Sequence, residues 1–457
     1  MRTMSLVGRF GILAAACIES LSLSIFARGI GLFREILIAA TFGVTTDINS
    51  FYALLPIWNL VISAIGRSYG FTLATSHERV RQKHGDFAAK VELKKHLREA
   101  TLLLSVVSLI ALFFVVLTAE FLWPGLPQSA KAQIYNLALL TLPWPALSGL
   151  VAILGTLQAT QGRHRLHMVT SAITPMIIIA CLSATTIHTV YILAALYSIG
   201  ATVELAILLL TTFRSPANSI KLEGDSCAAS DGSVAWKSLP LVAGALVMGV
   251  MPLVEQAAAN SVSSNALVLL AYATRWPLAA VSLLVPLYDR LYLADLTWLS
   301  TDQKWSRFRR LWYRYSATTL GVGLLGFAFF GLVGSFLFRS TFGLAEMSEN
   351  DFESMVSTQL ASSTQLATYC FYMANERAAM AIPLRKNIAA ARICGIATCA
   401  ITAPVLASWM GLTGVAISSS LSLLAAGVVL AIQIAFCLPA TSMQSESIRR
   451  SNPSLAA

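Results

Sequence analysis

Twelve apolar segments follow one another along the chain, and each is long enough to cross a lipid bilayer. They lie at about 8–42, 47–75, 98–118, 131–160, 166–186, 188–213, 235–259, 263–289, 314–338, 353–374, 390–410 and 413–438. About 20 apolar residues span the hydrocarbon core, where helices satisfy their own backbone polar groups. Only 12% of the residues are charged, against about 25% in soluble domains. The sequence therefore predicts an all-α polytopic membrane protein with about twelve transmembrane helices.

The distribution of Lys and Arg predicts how the chain is oriented. Every second loop is basic: residues 76–98 carry seven Lys or Arg, and residues 289–314 carry six. The intervening loops are short or acidic, as in AEMSENDFE at 345–353. Because basic loops stay in the cytoplasm, we expect both termini there. The net charge of +10 has the same origin, so we expect no nucleic-acid partner.

One long polar interruption, RSPANSIKLEGDSCAASDG, begins at Arg214 and separates the sixth apolar segment from the seventh. Two bundles of six helices are a common transporter plan, with the binding site between them near the bilayer midplane. The predicted domains are an N-terminal six-helix lobe (1–213), a cytoplasmic linker (214–234), a C-terminal six-helix lobe (235–440) and a cytoplasmic tail (441–457).

Three arginines lie inside apolar segments, Arg28 and Arg34 in the first and Arg275 in the eighth. Each charge costs roughly 2.5–3.5 kcal/mol at the bilayer centre, so the three together cost on the order of 8–10 kcal/mol. Guanidinium groups bind phosphate with a fixed, forked geometry. We therefore predict that these three arginines bind a phosphate-bearing molecule within the membrane.

Two carboxylates near these arginines have both a structural and a functional interpretation. Glu35 follows Arg34 directly, so the two form either a structural ion pair or a gating pair, and Arg34 can also snorkel to the outer interface. Asp47 begins the second segment, where it is either an N-cap or a counter-ion that releases Arg34 during transport. Arg67 lies about 30 Å further along that helix, which favours snorkelling at the cytoplasmic face.

Three further carboxylates, Glu19, Glu204 and Glu255, lie within apolar segments. Each can bind a coupling proton or cation, or can neutralise an arginine. The seven cysteines form no CxxC pair and have no His spacing that suits a metal. We expect neither a metal nor a cofactor.

Two stretches resemble the MurJ/MviN family of lipid II flippases, part of the superfamily of multidrug and oligosaccharidyl-lipid exporters. RGIGLFREILIAATFGVTTDINSFYALLPIWN, from Arg28 to Asn59, is similar to that family's first two helices. YATRWPLAAVSLLVPLYDRL resembles its eighth helix, with Arg275 on the central arginine. The resemblance implies two six-helix lobes around a cationic cavity in the bacterial cytoplasmic membrane. It also implies outward flipping of a polyprenyl-pyrophosphate-linked saccharide among the membrane lipids.

Two departures from the family pattern bear on the substrate. The residues after Asn59, LVISAIG, lack the arginines and the Glu-Gly of the lipid II members, and the chain ends at about helix twelve. Both favour another lipid-linked glycan, such as an exopolysaccharide or O-antigen repeat unit, with lipid II as the alternative. The expected protein partners are polysaccharide polymerases or glycosyltransferases of the same pathway.

Two other classes of protein are weighed against a flippase. A cation-coupled multidrug exporter of the same superfamily would carry acids rather than arginines in its cavity, because its substrates are mostly cations. An enzyme would need a catalytic motif or a long loop that carries catalytic residues. The sequence contains no P-loop, HExxH or GxSxG motif, and the non-basic loops are only around 15 residues long. We predict a secondary-type transporter and not an enzyme.

Overall fold

The described part of the chain is helical and contains no strand. The computed structural model describes the backbone of residues 6–123, 126–161, 164–185, 188–214, 234–263, 265–343, 348–382 and 384–451, with side chains of the first helix described at Ser22, Leu23 and from Ile25 onward. The helices are α1 Leu6–Phe42, α2 Thr46–Val61, a π-helical turn Ile62–Arg67, α3 Ser68–Leu122, α4 Gln128–Thr141, α5 Pro143–Thr160, α6 His164–Thr170, α7 Ile173–Ala184, α8 Val190–Arg214, α9 Val234–Gly249, α10 Met251–Asn260, α11 Ala266–Thr301, α12 Trp305–Phe342, α13 Glu349–Ser363, α14 Gln365–Ala381, α15 Arg385–Met410 and α16 Leu412–Ser451.

The lengths and composition of these helices agree with a polytopic membrane protein. Within the described residues, eight helical stretches are long and apolar enough to cross a membrane, or nine if the bent pair α4–α5 is one span. Helix α1, helix α11 and the pair α13–α14 coincide with three further predicted segments. The prediction of an all-α membrane protein with about twelve spans is confirmed.

By the packing of its helices, the chain divides into two compact units. The first comprises Met1–Val268 and Leu344–Met347, and the second comprises Leu269–Gly343 and Ser348–Ala457. The boundary between them falls inside α11. The lobes over 1–213 and 235–440 stay a prediction, and most of the predicted linker lies outside the described residues. Over the predicted tail, α16 continues as far as Ser451.

Two predicted elements differ in detail from the structure. The segment expected at 131–160 is divided into α4 and α5, which meet at an angle of 46°. Pro143 begins α5, and its ring removes a backbone donor from what would otherwise be one helix. The basic stretch 76–98, expected as a loop, is helical on both sides of Gly85, whose φ of +82° marks the break. Its Lys, Arg, Glu and Ala residues are strong helix formers, which explains the extension.

Helix α2 lies in the core of the first unit. The side chains of Phe51 and Trp58 are almost fully buried. The indole N–H of Trp58 donates to Oγ1 of Thr141 on α4 at 2.9 Å, so this buried polar atom is satisfied. Further along the chain, Tyr69 and Leu104 of α3 belong to an apolar cluster that joins this helix to α5 and α8.

Two hydrogen bonds join α2 to helices that follow more than 200 positions later in the chain. The Nε2 of Gln256 donates to the backbone oxygen of Tyr52 at 2.9 Å. The backbone N–H of Val268 donates to Oδ1 of Asn49 at 3.0 Å. All four residues belong to the first unit. Helix α10 and the start of α11 are therefore held on the face of α2.

The second unit is organised around α12, α14, α15 and α16. Trp312 on α12 donates its indole N–H to Oδ1 of Asn375 on α14 at 3.0 Å. Arg392 on α15 donates to Oε1 of Glu376 on α14, with Nη2 at 2.6 Å and Nε at 3.2 Å. The hydroxyl of Tyr372 donates to the same oxygen at 2.7 Å. A buried charge in this unit is thus matched by an opposite charge.

Candidate functional site

Arg28 is exposed on α1, fourteen positions before the end of that helix at Phe42. At 1.5 Å per residue, this places it about 21 Å from the helix end, well inside a bilayer of about 30 Å. Two other basic side chains lie close enough to interact with it electrostatically, Arg67 from the π-helical turn and His167 from α6. The first unit thus gathers three basic groups from three elements.

The π-helical turn Ile62–Arg67 interrupts the regular winding that α2 and α3 would otherwise share. Such turns are rare and occur often at functional sites. Gly66 allows this one to approach α5 closely, since a Cβ there would lie 2.9 Å from the Cα and the backbone oxygen of Gly149. Arg67 follows Gly66 directly, so its position is set by a glycine–glycine contact between two helices.

His167 lies against a third glycine, Gly155 of α5. A Cβ at Gly155 would lie only 2.8 Å from Nε2 of the imidazole and nearer still to Cε1 and Nδ1. Nδ1 of His167 is buried and has no hydrogen-bond partner among the described atoms. The ring is therefore held in place by packing, while one of its nitrogens is uncommitted.

The charges of this group are not balanced by acidic side chains in the part of the chain that the structure describes. None of the ion pairs that the described residues form includes Arg28 or Arg67. Cations that are close together inside a membrane repel one another and lose hydration. An arrangement of this kind has the chemistry of an anion-binding site. We call Arg28, Arg67 and His167 the cationic group.

Arg34 is in a different environment, although it lies only six positions from Arg28. It forms an ion pair with Glu35, and its guanidinium carbon lies 5.2 Å from the ring centroid of Tyr197. The second carboxylate oxygen of Glu35 accepts a hydrogen bond of 2.8 Å from the hydroxyl of Tyr52. The structural interpretation of Arg34 and Glu35 therefore has direct support, while their roles in binding and gating stay predictions.

The remaining predicted carboxylates are spread over the first unit. Glu204 is buried, accepts a 3.1 Å hydrogen bond from the backbone N–H of Thr174 and is within electrostatic reach of Arg34. Glu255 is half-buried on α10. The side chain of Glu19 lies outside the described residues.

Asp47 lies exposed in the first turn of α2. The N-cap of that helix is Thr45, whose hydroxyl accepts from the backbone N–H of Ile48 at 3.5 Å. The N-cap interpretation of Asp47 is therefore wrong by two positions. Its assignment as a gating counter-ion stays a prediction.

Arg275 lies on α11 in the second unit and is half-buried. The next residue, Trp276, packs against a small apolar cluster that contains Val281, Phe330 and Leu366. This packing orients the segment that carries Arg275. Its proposed partnership with Arg28 stays a prediction.

Sequence reasoning selected Arg28 but not the two groups that lie near it. Arg67 was assigned to the interface by its distance along a regular helix, a measure that ignores the π turn. His167 was interpreted only as part of the basic loop QGRHRLH. No signal in the sequence shows that Gly155 receives its ring. Within the described residues, no group of three His, Cys, Asp or Glu side chains could hold a metal ion.

Comparison with known proteins shows similarity in structure. No protein-family model and no curated protein matches the chain. The structure is similar to "Lipid II flippase MurJ, inward closed conformation", with a TM-score of 0.73 and 17% identity over 91% of this chain and 87% of that one. It is also similar to an inward-facing multidrug resistance MATE transporter of the MOP superfamily, with a TM-score of 0.71 and 13% identity over 94% and 99%.

A third solved structure is a MOP superfamily transporter from Pyrococcus furiosus, whose binding pocket is described as having reversed polarity. The TM-score is 0.64 and the identity 13%, over 93% of this chain and 96% of that one. The chain therefore has the fold shared by MurJ and the MATE transporters, as the resemblance in its first, second and eighth helices predicted.

Proposed function

We propose that this chain is a flippase of the bacterial cytoplasmic membrane. Its substrate is a polyprenyl-(pyro)phosphate-linked oligosaccharide, which it moves from the inner to the outer leaflet for synthesis of a cell-surface polysaccharide. The observation that carries the proposal is the cationic group, in which Arg28 and Arg67 lie together and form no ion pair with any acidic residue that the structure describes. The fold supports the class of protein, because MurJ is a lipid II flippase.

The chemistry of the cationic group favours an anionic headgroup over a cationic drug. A diphosphate diester carries about two negative charges and accepts forked hydrogen bonds from guanidinium groups. Two carboxylates that could attract a cation in this unit, Glu35 and Glu204, are engaged by Arg34 and by the backbone N–H of Thr174. A multidrug exporter is therefore the weaker candidate.

Lipid II is the second candidate substrate. The similarity to MurJ favours it, whereas the residues from Leu60 to Gly66, which lack the arginines and the Glu-Gly of lipid II members, favour another lipid-linked glycan. Both substrates present the same diphosphate. The cationic group would bind either one, so the choice between them rests on the sugar.

In the proposed cycle, Arg28 and Arg67 bind the diphosphate while the polyprenyl chain stays among the membrane lipids. The Arg34–Glu35–Tyr52 link joins α1 to α2 on the Phe42 side of the site. With both termini in the cytoplasm, that side faces outward, and the link closes the outer end until substrate arrives. The membrane potential favours outward movement of negative charge by about 2.3 kcal/mol per charge per 100 mV.

Flipping of a fluorescent lipid-linked oligosaccharide in vesicles that contain the purified chain tests this proposal. We expect Arg28→Ala and Arg67→Ala to reduce the flipping rate at least a hundredfold without lowering the amount of inserted protein. Arg79→Ala is the matched control, because Arg79 is an exposed arginine near the turn at Gly85. Normal flipping by both variants would refute the proposal.

A further inference from the structure

Three arginines lie on the exposed side of α12, in the second unit, near the start of that helix. Arg307, Arg310 and Arg314 are all exposed. Their spacing of three and four positions places them on one side of the helix. The opposite side, which includes Phe308 and Trp312, is buried. We call the three residues the arginine stripe.

Further along α12, the same side of the helix carries exposed apolar side chains. Leu325, Leu332 and Phe336 are 71%, 83% and 69% exposed. They follow Arg314 at steps of eleven, seven and four positions, each of which returns to nearly the same side of an α-helix. Only 17% of the most apolar stretch of α12 is buried within the protein. Because this side contacts lipid tails along the apolar stretch, the arginine stripe also faces the lipid.

The length of the uncharged part of α12 sets the depth of the stripe in the bilayer. No Asp, Glu, Lys or Arg occurs in the 24 positions from Tyr315 to Phe338, which separate Arg314 from Arg339. At 1.5 Å per residue, they extend about 36 Å, slightly more than the hydrocarbon core of about 30 Å. Arg314 therefore lies close to the hydrocarbon boundary, and Arg310 lies about 6 Å further out, in the headgroup layer.

An exposed tyrosine marks the same level of the bilayer. The ring of Tyr313 stacks on that of Trp312, with their centroids 4.7 Å apart. Trp312 is in turn held by its hydrogen bond to Asn375 on α14, so this end of α12 has a fixed position in the second unit. Tyrosine and tryptophan concentrate at the level of the lipid headgroups. The position of Tyr313 thus agrees with the depth obtained from the length of the helix.

The charge of the arginine stripe is available for a ligand. Among the side chains that the structure describes, the ion pairs include none of Arg307, Arg310 and Arg314. The nearby carboxylate of Asp302 is paired with Lys304 at 3.0 Å. Guanidinium groups bind phosphate by two parallel hydrogen bonds. At this depth of a membrane, the phosphates are those of the lipid headgroups.

We infer that the arginine stripe of α12 binds the phosphate headgroup of an anionic phospholipid, in the leaflet that is cytoplasmic in the proposed topology. Arg310 and Arg314 bind the phosphate, and Arg307, one turn further from the membrane, adds to the attraction. The inference does not rest on the proposed function, because this lipid stays in its leaflet and lies against the outside of the second unit.

Native mass spectrometry of the purified full-length chain in detergent tests the inference. The chain is titrated with phosphatidylglycerol and, separately, with phosphatidylcholine that has the same acyl chains, so the difference reports on headgroup charge. We expect the unaltered chain to prefer phosphatidylglycerol. Replacing Arg307, Arg310 and Arg314 together by Gln should weaken its binding at least thirtyfold, since each arginine near an anionic surface contributes about fivefold, or about 1 kcal/mol. Binding of phosphatidylcholine should not change.

Two further variants distinguish a site from an effect of total charge. Arg79→Gln, Arg81→Gln and Lys83→Gln together remove the same charge from exposed positions of α3. Those positions are two apart and do not share one side of a helix, so we expect lipid binding like that of the unaltered chain. Replacing the stripe by three lysines keeps the charge without the forked contacts, and we expect about three- to tenfold weaker binding of phosphatidylglycerol.

Three results would overturn the inference. An unchanged preference for phosphatidylglycerol in the triple glutamine variant would leave the stripe to another partner, such as an acidic protein. An equal loss in the α3 control would show that total charge, and not this site, attracts the lipid. Equally tight binding of glycerophosphoglycerol, the headgroup without acyl chains, would assign the stripe to a soluble phosphate compound.

Discussion

Arg28 and Arg34 lie six positions apart on one helix, and their surroundings are opposite. Arg34 has a carboxylate from its neighbour Glu35, an aromatic ring from Tyr197 and the more distant charge of Glu204. Arg28 faces Arg67, another cation. An arginine that is buried for structure recruits a counter-charge, because an unmatched charge is costly. One that is kept without a counter-charge next to a second arginine is arranged for an anion that comes and goes.

Among the variants that retain a cation at position 28, the largest effect on flipping is expected from giving Arg28 the environment of Arg34. Leu32 lies one helical turn after Arg28, so Leu32→Glu would place a carboxylate within reach of it. We expect flipping to fall at least tenfold, because an internal carboxylate competes with the phosphate. Leu32→Gln, which is similar in size and uncharged, should retain most of the activity. Equal loss in both variants would mean that side-chain shape, not charge, matters there.

The reverse change removes the counter-charge of Arg34. Glu35→Ala leaves a buried guanidinium and the hydroxyl of Tyr52 without their carboxylate. Breaking a buried pair from one side costs about 3–5 kcal/mol, so we expect a clearly lower thermal unfolding temperature in detergent. Arg28→Ala, by contrast, should leave that temperature unchanged or raised. If the two variants were equally stable, the contrast between the arginines would be lost.

A smaller effect is expected when Arg28 keeps its charge but loses its shape. Arg28→Lys retains the positive charge and cannot make forked contacts with phosphate. We expect a flipping rate reduced by about tenfold, which corresponds to about 1.4 kcal/mol. The rate at saturating substrate and the apparent affinity should be measured separately. Full activity would show that only the charge is required.

The smallest effect on flipping is expected from replacing the buried ion pair of the second unit, Glu376 with Arg392. Replacing both charges, with Glu376→Leu and Arg392→Met, removes a buried pair while keeping its volume. Such replacements are often close to neutral. The hydroxyl of Tyr372 loses the bond it donates to Glu376 and the longer one it accepts from Arg392, each worth about 1 kcal/mol. Flipping should persist. Its loss, with the fold intact, would assign this pair a role beyond structure.

Much of the fold could be predicted because a bilayer allows few solutions. Apolar length located the spans, and the residues around Arg28, Pro56 and Arg275 carried the resemblance to MurJ. The bend at Pro143 was missed because apolarity alone does not show where a segment is divided. The helical stretches on both sides of Gly85 were missed because helices continue there where polarity suggests a loop.

The site was harder to predict than the fold. Arg28 stood out by its cost in the membrane, but Arg67 and His167 reach it through contacts at Gly66 and Gly155. A glycine that lets another helix or side chain pack closely against it is not marked by any periodic pattern in the sequence. Its role depends on which residue lies opposite it in the folded chain. The same holds for Arg34, whose pairing with Glu35 was one of two interpretations that the sequence left open.

The π-helical turn before Arg67 also bears on how the molecule can move. A turn of this kind holds one more residue than an α-helical turn, and the surplus residue can be passed along the helix one position at a time. Each such step turns the side chains it passes by about 100° and advances them by about 1.5 Å. A shift of the turn past Arg67 would therefore change the direction in which this side chain points, and with it the spacing between Arg67 and Arg28.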